Sequence, residues 1–141
     1  MRKHLILATC IAGICFCTFA ASKSTPVEKY QLSTHILDVN LGTPAPGVPI
    51  ILFRQDADGI SWTRIAKGVT DRNGRISNFL PSDKSNSGIY KLRFETGNYF
   101  RNQKINSIYP FVEIVFEIKD NTHYHIPITI SANGYTTYRG N

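Results

Sequence analysis

The feature that most constrains the fold is a series of short apolar runs, interrupted by turn-forming residues about every eight to twelve positions. In residues 89–95 and 122–131, apolar and polar side chains alternate, as in strands with one face against a core. Asn73-Gly74 and Asn133-Gly134 are dipeptides that favour tight hairpin turns. This pattern predicts an all-β domain built from two packed antiparallel sheets.

The runs predict about eight strands, because each is long enough for one strand and is bounded by turn residues. Residues 96–104 lack the alternation, so they are predicted to hold at most one short helix. The run 122–131 is interpreted as one continuous strand. The predicted strands are 34–39, 48–54, 62–69, 75–80, 89–95, 111–118, 122–131 and 135–139.

The first twenty residues have the layout of a secretory signal peptide. Arg2 and Lys3 precede an uncharged apolar run, which ends with small residues at Thr18 and Ala20. A membrane anchor is the alternative, but the run is shorter than the roughly 20 apolar residues a spanning helix needs. We therefore predict cleavage after Ala20, giving a periplasmic or secreted protein without a membrane anchor.

The predicted mature chain divides into a flexible leader, residues 21–32, and one folded domain, residues 33–141. All three cysteines, Cys10, Cys15 and Cys17, lie in the predicted signal, so the domain would fold in an oxidising compartment without disulfides. Its stability must come from a hydrophobic core or from assembly into an oligomer.

The charge of the chain is mildly basic. The whole chain carries 16 basic and 10 acidic residues. Only two of the basic residues lie in the predicted signal, so the mature chain keeps a basic excess. The basic residues are scattered and do not interleave with aromatic ones, which argues against a nucleic-acid surface.

Three histidines follow the predicted signal: His35, His123 and His125. His123 and His125 are two residues apart in a predicted strand, so they should share one face. They could hold a metal ion, relay a proton, form structural hydrogen bonds, or simply be solvated. A metal ion needs a third and usually a fourth ligand, and no carboxylate has an obvious ligand spacing. His35 lies in an apolar run, where an imidazole needs a polar partner.

Two further segments carry candidate site residues. Arg75 directly follows the Asn73-Gly74 turn and begins a strand, which would aim its guanidinium from a fixed base. A guanidinium held in this way suits an anionic or carbonyl-rich ring. Residues 135–141 (YTTYRGN) are aromatic and rich in hydroxyls. Because most chain ends fray, we expect these residues to lie against something.

Three stretches together resemble the 5-hydroxyisourate hydrolases, which share the transthyretin fold. The combination of a His-Tyr-His-Ile-Pro run with a C-terminal Tyr-Arg-Gly is specific, and the resemblance covers residues 33–141. The matching stretches are residues 33–38 (STHILD) with 42–45 (GTPA), 70–75 (TDRNGR), and 123–127 (HYHIP) with 135–140 (YTTYRG).

The resemblance implies a transthyretin-like β-sandwich of two antiparallel four-stranded sheets with one short helix. It also implies a homotetramer, a dimer of dimers, with active sites in a central channel. The implied reaction belongs to urate and purine degradation and uses neither a metal ion nor an organic cofactor. It is the hydrolysis of 5-hydroxyisourate, whose ring opens to 2-oxo-4-hydroxy-4-carboxy-5-ureidoimidazoline.

The resemblance also assigns the site. His35, Arg75 and His125 would be catalytic, and His35 and Arg75 would also bind substrate. Tyr138, Asn141 and, more weakly, His123 are further candidates for substrate binding. Asn141 stands where the family usually has serine, so it keeps a polar contact but lacks a hydroxyl. We expect His35 and His125 to activate a water molecule and Arg75 to stabilise the developing negative charge.

Three other functions stay open at this point. One is a periplasmic small-ligand carrier on the same scaffold. A hormone carrier needs an apolar channel, however, whereas this channel would be lined by two imidazoles and a guanidinium. Another is a structural or adhesive β-sandwich in which the histidines are incidental. The last is a copper or zinc site on His123 and His125.

Overall fold

Two β-sheets and one short helix make up the computed structural model, which describes residues 29–140. Both the all-β class and the single short helix are confirmed. The elements are β1 (Tyr30–Asp38), β2 (Thr43–Pro44), β3 (Pro49–Gln55), β4 (Trp62–Val69), β5 (Arg75–Pro81), β6 (Gly88–Phe94), α1 (Thr96–Asn102), β7 (Val112–Ile118), β8 (Tyr124–His125), β9 (Ile128–Ser131) and β10 (Gly134–Thr137).

The four-stranded sheet agrees with the expectation. Its order is β4-β3-β6-β7, and every pair in it is antiparallel. On β6 the predicted alternation is present, because Tyr90, Leu92 and Phe94 are buried while Lys91 and Arg93 are half-buried. The last two reach acidic partners: Lys91 Nζ lies 3.4 Å from Glu113 Oε2, and Arg93 Nε lies 2.7 Å from an oxygen of Glu95.

The other sheet differs from the predicted four antiparallel strands, because it has six strands arranged around β1. β1 pairs antiparallel with β2 and β5, but parallel with β8 and β9. The parallel pairs arise because the chain crosses over from β7 in the opposite sheet and returns alongside β1. As a result, β1 contacts four other strands and brings distant parts of the sequence together.

The side chains of β1 alternate between the two faces of its sheet. Leu32, Thr34 and Ile36 are fully buried between the sheets, whereas Ser33 and His35 are half-buried on the outer face. Thr34 is satisfied in the core, since its hydroxyl donates to the Ile126 carbonyl at 2.7 Å. The buried hydrophobic side chains of both sheets form one continuous core, and that core fixes which face of β1 points outward.

Several predicted limits were wrong. β2 was not predicted, and the last predicted strand, 135–139, ends at Thr137. β1 begins at Tyr30, so residues 30–32, assigned to the leader, belong to the strand, and Gln31 Nε2 donates to the Asp120 carbonyl at 2.6 Å. The run 122–131 forms two strands, because Pro127 lacks an N–H and interrupts the ladder between β8 and β9. The predicted signal peptide, the leader up to residue 28 and Asn141 lie outside the described residues.

The helix α1 packs at one end of the sandwich through Phe100, which is buried. The Tyr99 hydroxyl donates to Asp38 Oδ2 at 3.0 Å, which ties the helix to the end of β1. Burial, together with this bond to a carboxylate, raises the pKa of Tyr99 to about 12. Within residues 29–140, no helix is long and apolar enough to span a membrane.

Candidate active site

The pairing of β1 with β5 places His35 directly opposite Arg75. The turn before Arg75 is held by Asp71, whose Oδ1 accepts the backbone N–H of Asn73 at 2.8 Å and of Arg75 at 2.9 Å. Gly74 has a φ of +69°, and its carbonyl accepts the N–H of Ile36 at 2.9 Å. The turn is therefore docked on β1, and Arg75 leaves it from a fixed point.

His125 reaches the same face from β8, which runs parallel to β1 in a register that pairs Ser33 with His125. The His35 and His125 ring centroids lie 6.5 Å apart, and the ring planes differ by only 19°. His125 is buried, and His35 is half-buried. Three strands that are distant in sequence thus bring two imidazoles and a guanidinium together on the outer face of the six-stranded sheet.

The surroundings of both imidazoles favour their neutral forms. Burial lowers the pKa of His35 below its usual 6.5, and the positive charge of Arg75 lowers it further, against a smaller opposing effect of Asp71. Burial also lowers the pKa of His125, followed by the charges of Arg75, His35 and His123, against a smaller opposing effect of the Ser33 backbone. At neutral pH both rings therefore keep a free nitrogen lone pair, as a general base requires.

The last described residues lie against His125. The Gly140 N–H donates to the His125 carbonyl at 2.8 Å and forms an isolated bridge with it. Arg139 lies over the Tyr124 ring at 4.3 Å and donates to the Thr122 hydroxyl at 3.1 Å. The segment around the Arg-Gly pair is therefore fixed in place, as the sequence led us to expect.

The close approach of residue 140 to the His125 ring explains why a glycine stands at this position. A Cβ added there would lie 2.5 Å from His125 Cδ2, well inside the contact distance of two carbon atoms, which is about 3.5–4.0 Å. Only a residue without a side chain lets the C-terminal segment lie this close to the His125 ring.

Of the remaining site candidates, the structure describes His123 and Tyr138, and neither lies beside His35 and Arg75 in the way that His125 does. His123 lies behind His125, and both its ring nitrogens are already engaged, with the Tyr30 carbonyl and the Ser33 hydroxyl. Tyr138 is 59% exposed. It lines a depression of about 500 Å³ whose lining includes neither His35, Arg75 nor His125: Ile114, Val115, Phe116, Glu117, Lys119, Tyr124, Ile126, Thr137, Tyr138 and Arg139. Roles for His123, Tyr138 and Asn141 in substrate binding stay predictions.

Ser33 is a neighbour of the site that the sequence analysis did not single out. Its hydroxyl lies 2.8 Å from both His123 Nε2 and His125 Nδ1. The available signal was its position two residues before His35, which puts both side chains on one face of β1. Across residues 29–140, no three His, Cys, Asp or Glu side chains are grouped closely enough to hold a metal ion.

Comparison with known proteins identifies the family of this chain. Residues 32–140 match the model of the HIUase/Transthyretin family. The 5-hydroxyisourate hydrolase of Salmonella dublin is 40% identical over 141 residues, covering 99% of each chain. The mouse 5-hydroxyisourate hydrolase is 38% identical over 114 residues, covering 80% of this chain and 97% of its own.

Two solved structures show the same fold. The 5-hydroxyisourate hydrolase of Klebsiella pneumoniae aligns with a TM-score of 0.68 and 39% identity, covering 78% of this chain and 98% of its own. Sea bream transthyretin in complex with thyroxine aligns with a TM-score of 0.73 and 35% identity, covering 78% of this chain and 94% of its own. Because the family model matches residues 32–140 and a relative is similar over nearly the full sequence, the chain belongs to the HIUase/transthyretin family.

Proposed function

We propose that the two imidazoles and the guanidinium on the outer face of the six-stranded sheet open the ring of 5-hydroxyisourate. The chain is a 5-hydroxyisourate hydrolase of urate catabolism, since hydrolases about 40% identical to it match over nearly its whole length. The observation that carries the mechanism is the convergence of His35, Arg75 and His125 from three strands.

In the proposed reaction, one neutral imidazole takes a proton from a water molecule while the water oxygen attacks a ring carbonyl. The carbonyl carbon then releases the ring nitrogen, which receives a proton, and the product carries a carboxylate. Arg75 donates hydrogen bonds to the substrate and stabilises the negative charge that develops on oxygen. The nearly parallel imidazoles, with centroids 6.5 Å apart, flank the space in which the water would be activated.

The carrier alternative is less well supported. Sea bream transthyretin, which binds thyroxine, aligns slightly better by fold than the Klebsiella hydrolase, but its identity to this chain is lower. An apolar ligand would have to bury His35 and Arg75 without giving them polar partners, which is unfavourable. A polar heterocycle and a water molecule would instead satisfy these groups.

We also propose that the protein is a homotetramer, assembled as a dimer of dimers. β7 is an edge strand of the four-stranded sheet, so its outer side can pair with a second copy. Val115 on β7 and Tyr138 are 57% and 59% exposed, and both line the depression of about 500 Å³. A second dimer stacked on the outer face of the six-stranded sheet would cover His35 and Arg75. Sedimentation velocity should give a tetramer, and a monomer would contradict this proposal.

Export to the periplasm or the medium is a further proposal, supported by the signal-like layout of residues 1–20. Mass spectrometry of the protein purified from its host should find an N-terminus near residue 21. An intact Met1 on the active protein would contradict it.

The test of the catalytic assignment is a spectrophotometric assay on freshly generated 5-hydroxyisourate. His35→Ala and His125→Ala should each lower kcat by about 10²–10⁴, the usual contribution of a general base, while the oligomer survives. Arg75→Ala should also lower activity, and Arg72→Ala is its matched control, because Arg72 is an exposed arginine of the same turn. Near-normal turnover in a histidine variant would remove that histidine from the mechanism. Equal effects of Arg75→Ala and Arg72→Ala would remove Arg75.

A further inference from the structure

A chain of hydrogen bonds runs behind the site, from the backbone of β1 to His125. His123 Nδ1 lies 3.0 Å from the Tyr30 carbonyl oxygen. His123 Nε2 lies 2.8 Å from Ser33 Oγ, and the same oxygen lies 2.8 Å from His125 Nδ1. One serine hydroxyl therefore joins the two imidazoles.

The carbonyl at one end sets the direction of every bond in this chain when His123 is neutral. A carbonyl oxygen only accepts, so His123 Nδ1 carries the proton and donates it. The single N–H of a neutral imidazole is then used, so His123 Nε2 accepts the hydrogen of the Ser33 hydroxyl. Ser33 Oγ has only lone pairs left for His125, so His125 Nδ1 is the donor.

We propose that Ser33 is a positioning residue that holds His125 in the tautomer with a proton on Nδ1 and a lone pair on Nε2. His123 supports the arrangement by accepting the serine hydrogen. The inference rests on the proposed function only in the step where His125 Nε2 takes a proton from water. The tautomer itself follows from the hydrogen bonds and a neutral His123.

Two contacts fix the His125 ring and leave Nε2 for chemistry. Ser33 holds the Nδ1 side, and Gly140 lies against Cδ2. Nε2 is then the only ring nitrogen that can meet a water molecule. With the other tautomer, an N–H would stand where the base needs a lone pair. Loss of the group that fixes the tautomer of a catalytic histidine costs up to about 10⁴ in kcat.

This arrangement also gives His123 a role other than contact with the substrate. The sequence placed His123 and His125 on one face, which suggested that both could face a ligand. In the structure, each ring nitrogen of His123 already has a partner within the chain. His123 therefore acts through Ser33.

The test combines nuclear magnetic resonance with kinetics on the full chain. Long-range proton–nitrogen correlation spectra of ¹⁵N-histidine-labelled protein distinguish protonated from bare ring nitrogens, and a His125→Gln variant assigns the signals. The variants are Ser33→Ala, Ser33→Thr to restore a hydroxyl, and Ser85→Ala as a matched control. Ser85 is exposed in the loop between β5 and β6.

We expect His125 in the unsubstituted protein to have a protonated Nδ1 and a bare Nε2. Ser33→Ala should mix the two tautomers and lower kcat by roughly 10- to 100-fold, as the loss of a partner that orients a metal-binding histidine does. KM should change little, because Ser33 does not contact the substrate in this proposal. Ser33→Thr should restore the tautomer and most of kcat, and Ser85→Ala should alter neither.

Three results would overturn the proposal. They are a proton on His125 Nε2 in the unsubstituted protein, an unchanged tautomer in Ser33→Ala, and a changed tautomer with an unchanged kcat. Failure of the proposed function is a distinct result, because the unsubstituted protein would then not hydrolyse 5-hydroxyisourate while its spectra still reported the tautomer.

Discussion

Replacing Gly140 with alanine should damage the site without damaging the core. The added Cβ would lie 2.5 Å from His125 Cδ2, whereas two carbons in contact need about 3.5–4.0 Å. The shortfall is therefore at least about 1 Å. Either the His125 ring or the C-terminal segment must move by that amount, and both movements change the surroundings of the proposed base.

A displacement of about 1 Å near a reacting group can cost about 10²-fold in rate. We therefore expect Gly140→Ala to lower kcat on fresh 5-hydroxyisourate by about that factor. Overpacking in a core typically costs about 1–3 kcal/mol of stability. Here the cost should fall near the low end, because the neighbouring Tyr138 and Arg139 are exposed and can shift. Thermal unfolding followed by circular dichroism should thus change much less than activity.

Gly134→Ala is the matched control for this prediction. Gly134 begins β10, and a Cβ there would meet only Ser131 Oγ at 3.5 Å, which is an ordinary contact. The control should keep both stability and turnover. Wild-type kcat in Gly140→Ala would show that close packing of the C-terminal segment on His125 has no part in catalysis.

Two further predictions concern protonation and the turn before Arg75. Because burial and Arg75 lower the pKa of His35, and burial lowers that of His125, kcat/KM should fall on the acid side with an inflection below pH 6.5; an inflection above 6.5 would contradict this. In the unfolded chain these histidines bind protons near pH 6.5, whereas in the folded protein they bind them only at lower pH. Protons therefore favour the unfolded chain, and the stability measured by urea titration should fall as the pH drops below 6.5. Gly74→Ala should destabilise the fold by about 2–4 kcal/mol, because the residue has a φ of +69° and its Cβ would lie 2.6 Å from the Ile36 carbonyl; an unchanged urea midpoint would contradict this.

Local patterns predicted the strands of the four-stranded sheet well. The alternation of residues 89–95 appears in β6 as buried Tyr90, Leu92 and Phe94, and the predicted third strand matches β4 (Trp62–Val69) at both ends. β6 follows the period-two rule because one of its faces lies on the core. β4 has no buried side chain, so its match depends on the turn residues that bound it.

The six-stranded sheet was harder to predict, because its pairing is not local. No pattern in residues 122–131 indicates that the segment returns parallel to β1. The division into β8 and β9 did have a signal in the sequence, because Pro127 cannot donate to a ladder. Gln31 resembled a leader residue, yet it is buried and bonded to Asp120 and Asn86, each far away in sequence. Pairings over such separations depend on tertiary context, which overrides the local signal.

The candidate site residues could be named from the sequence, but the hydrogen bonds that connect their neighbours could not. His35, Arg75 and His125 were identified through resemblance to a family, and the structure brings them together on one face. Ser33 was not identified, because a serine in a strand is ordinary until its neighbours are known. Only the parallel register between Ser33 and His125 shows that its hydroxyl lies between two imidazoles.

The arrangement of β1 indicates how one fold can serve both a hydrolase and the sea bream transthyretin that was solved in complex with thyroxine. Its inward residues, such as Leu32 and Ile36, are fully buried and hold the two sheets together. Its outward residues Ser33 and His35 take no part in that core, yet they contact or oppose the other site residues. Since the two sets alternate along a single strand, the outer face can exchange imidazoles for apolar groups without disturbing the packing that sustains the sandwich.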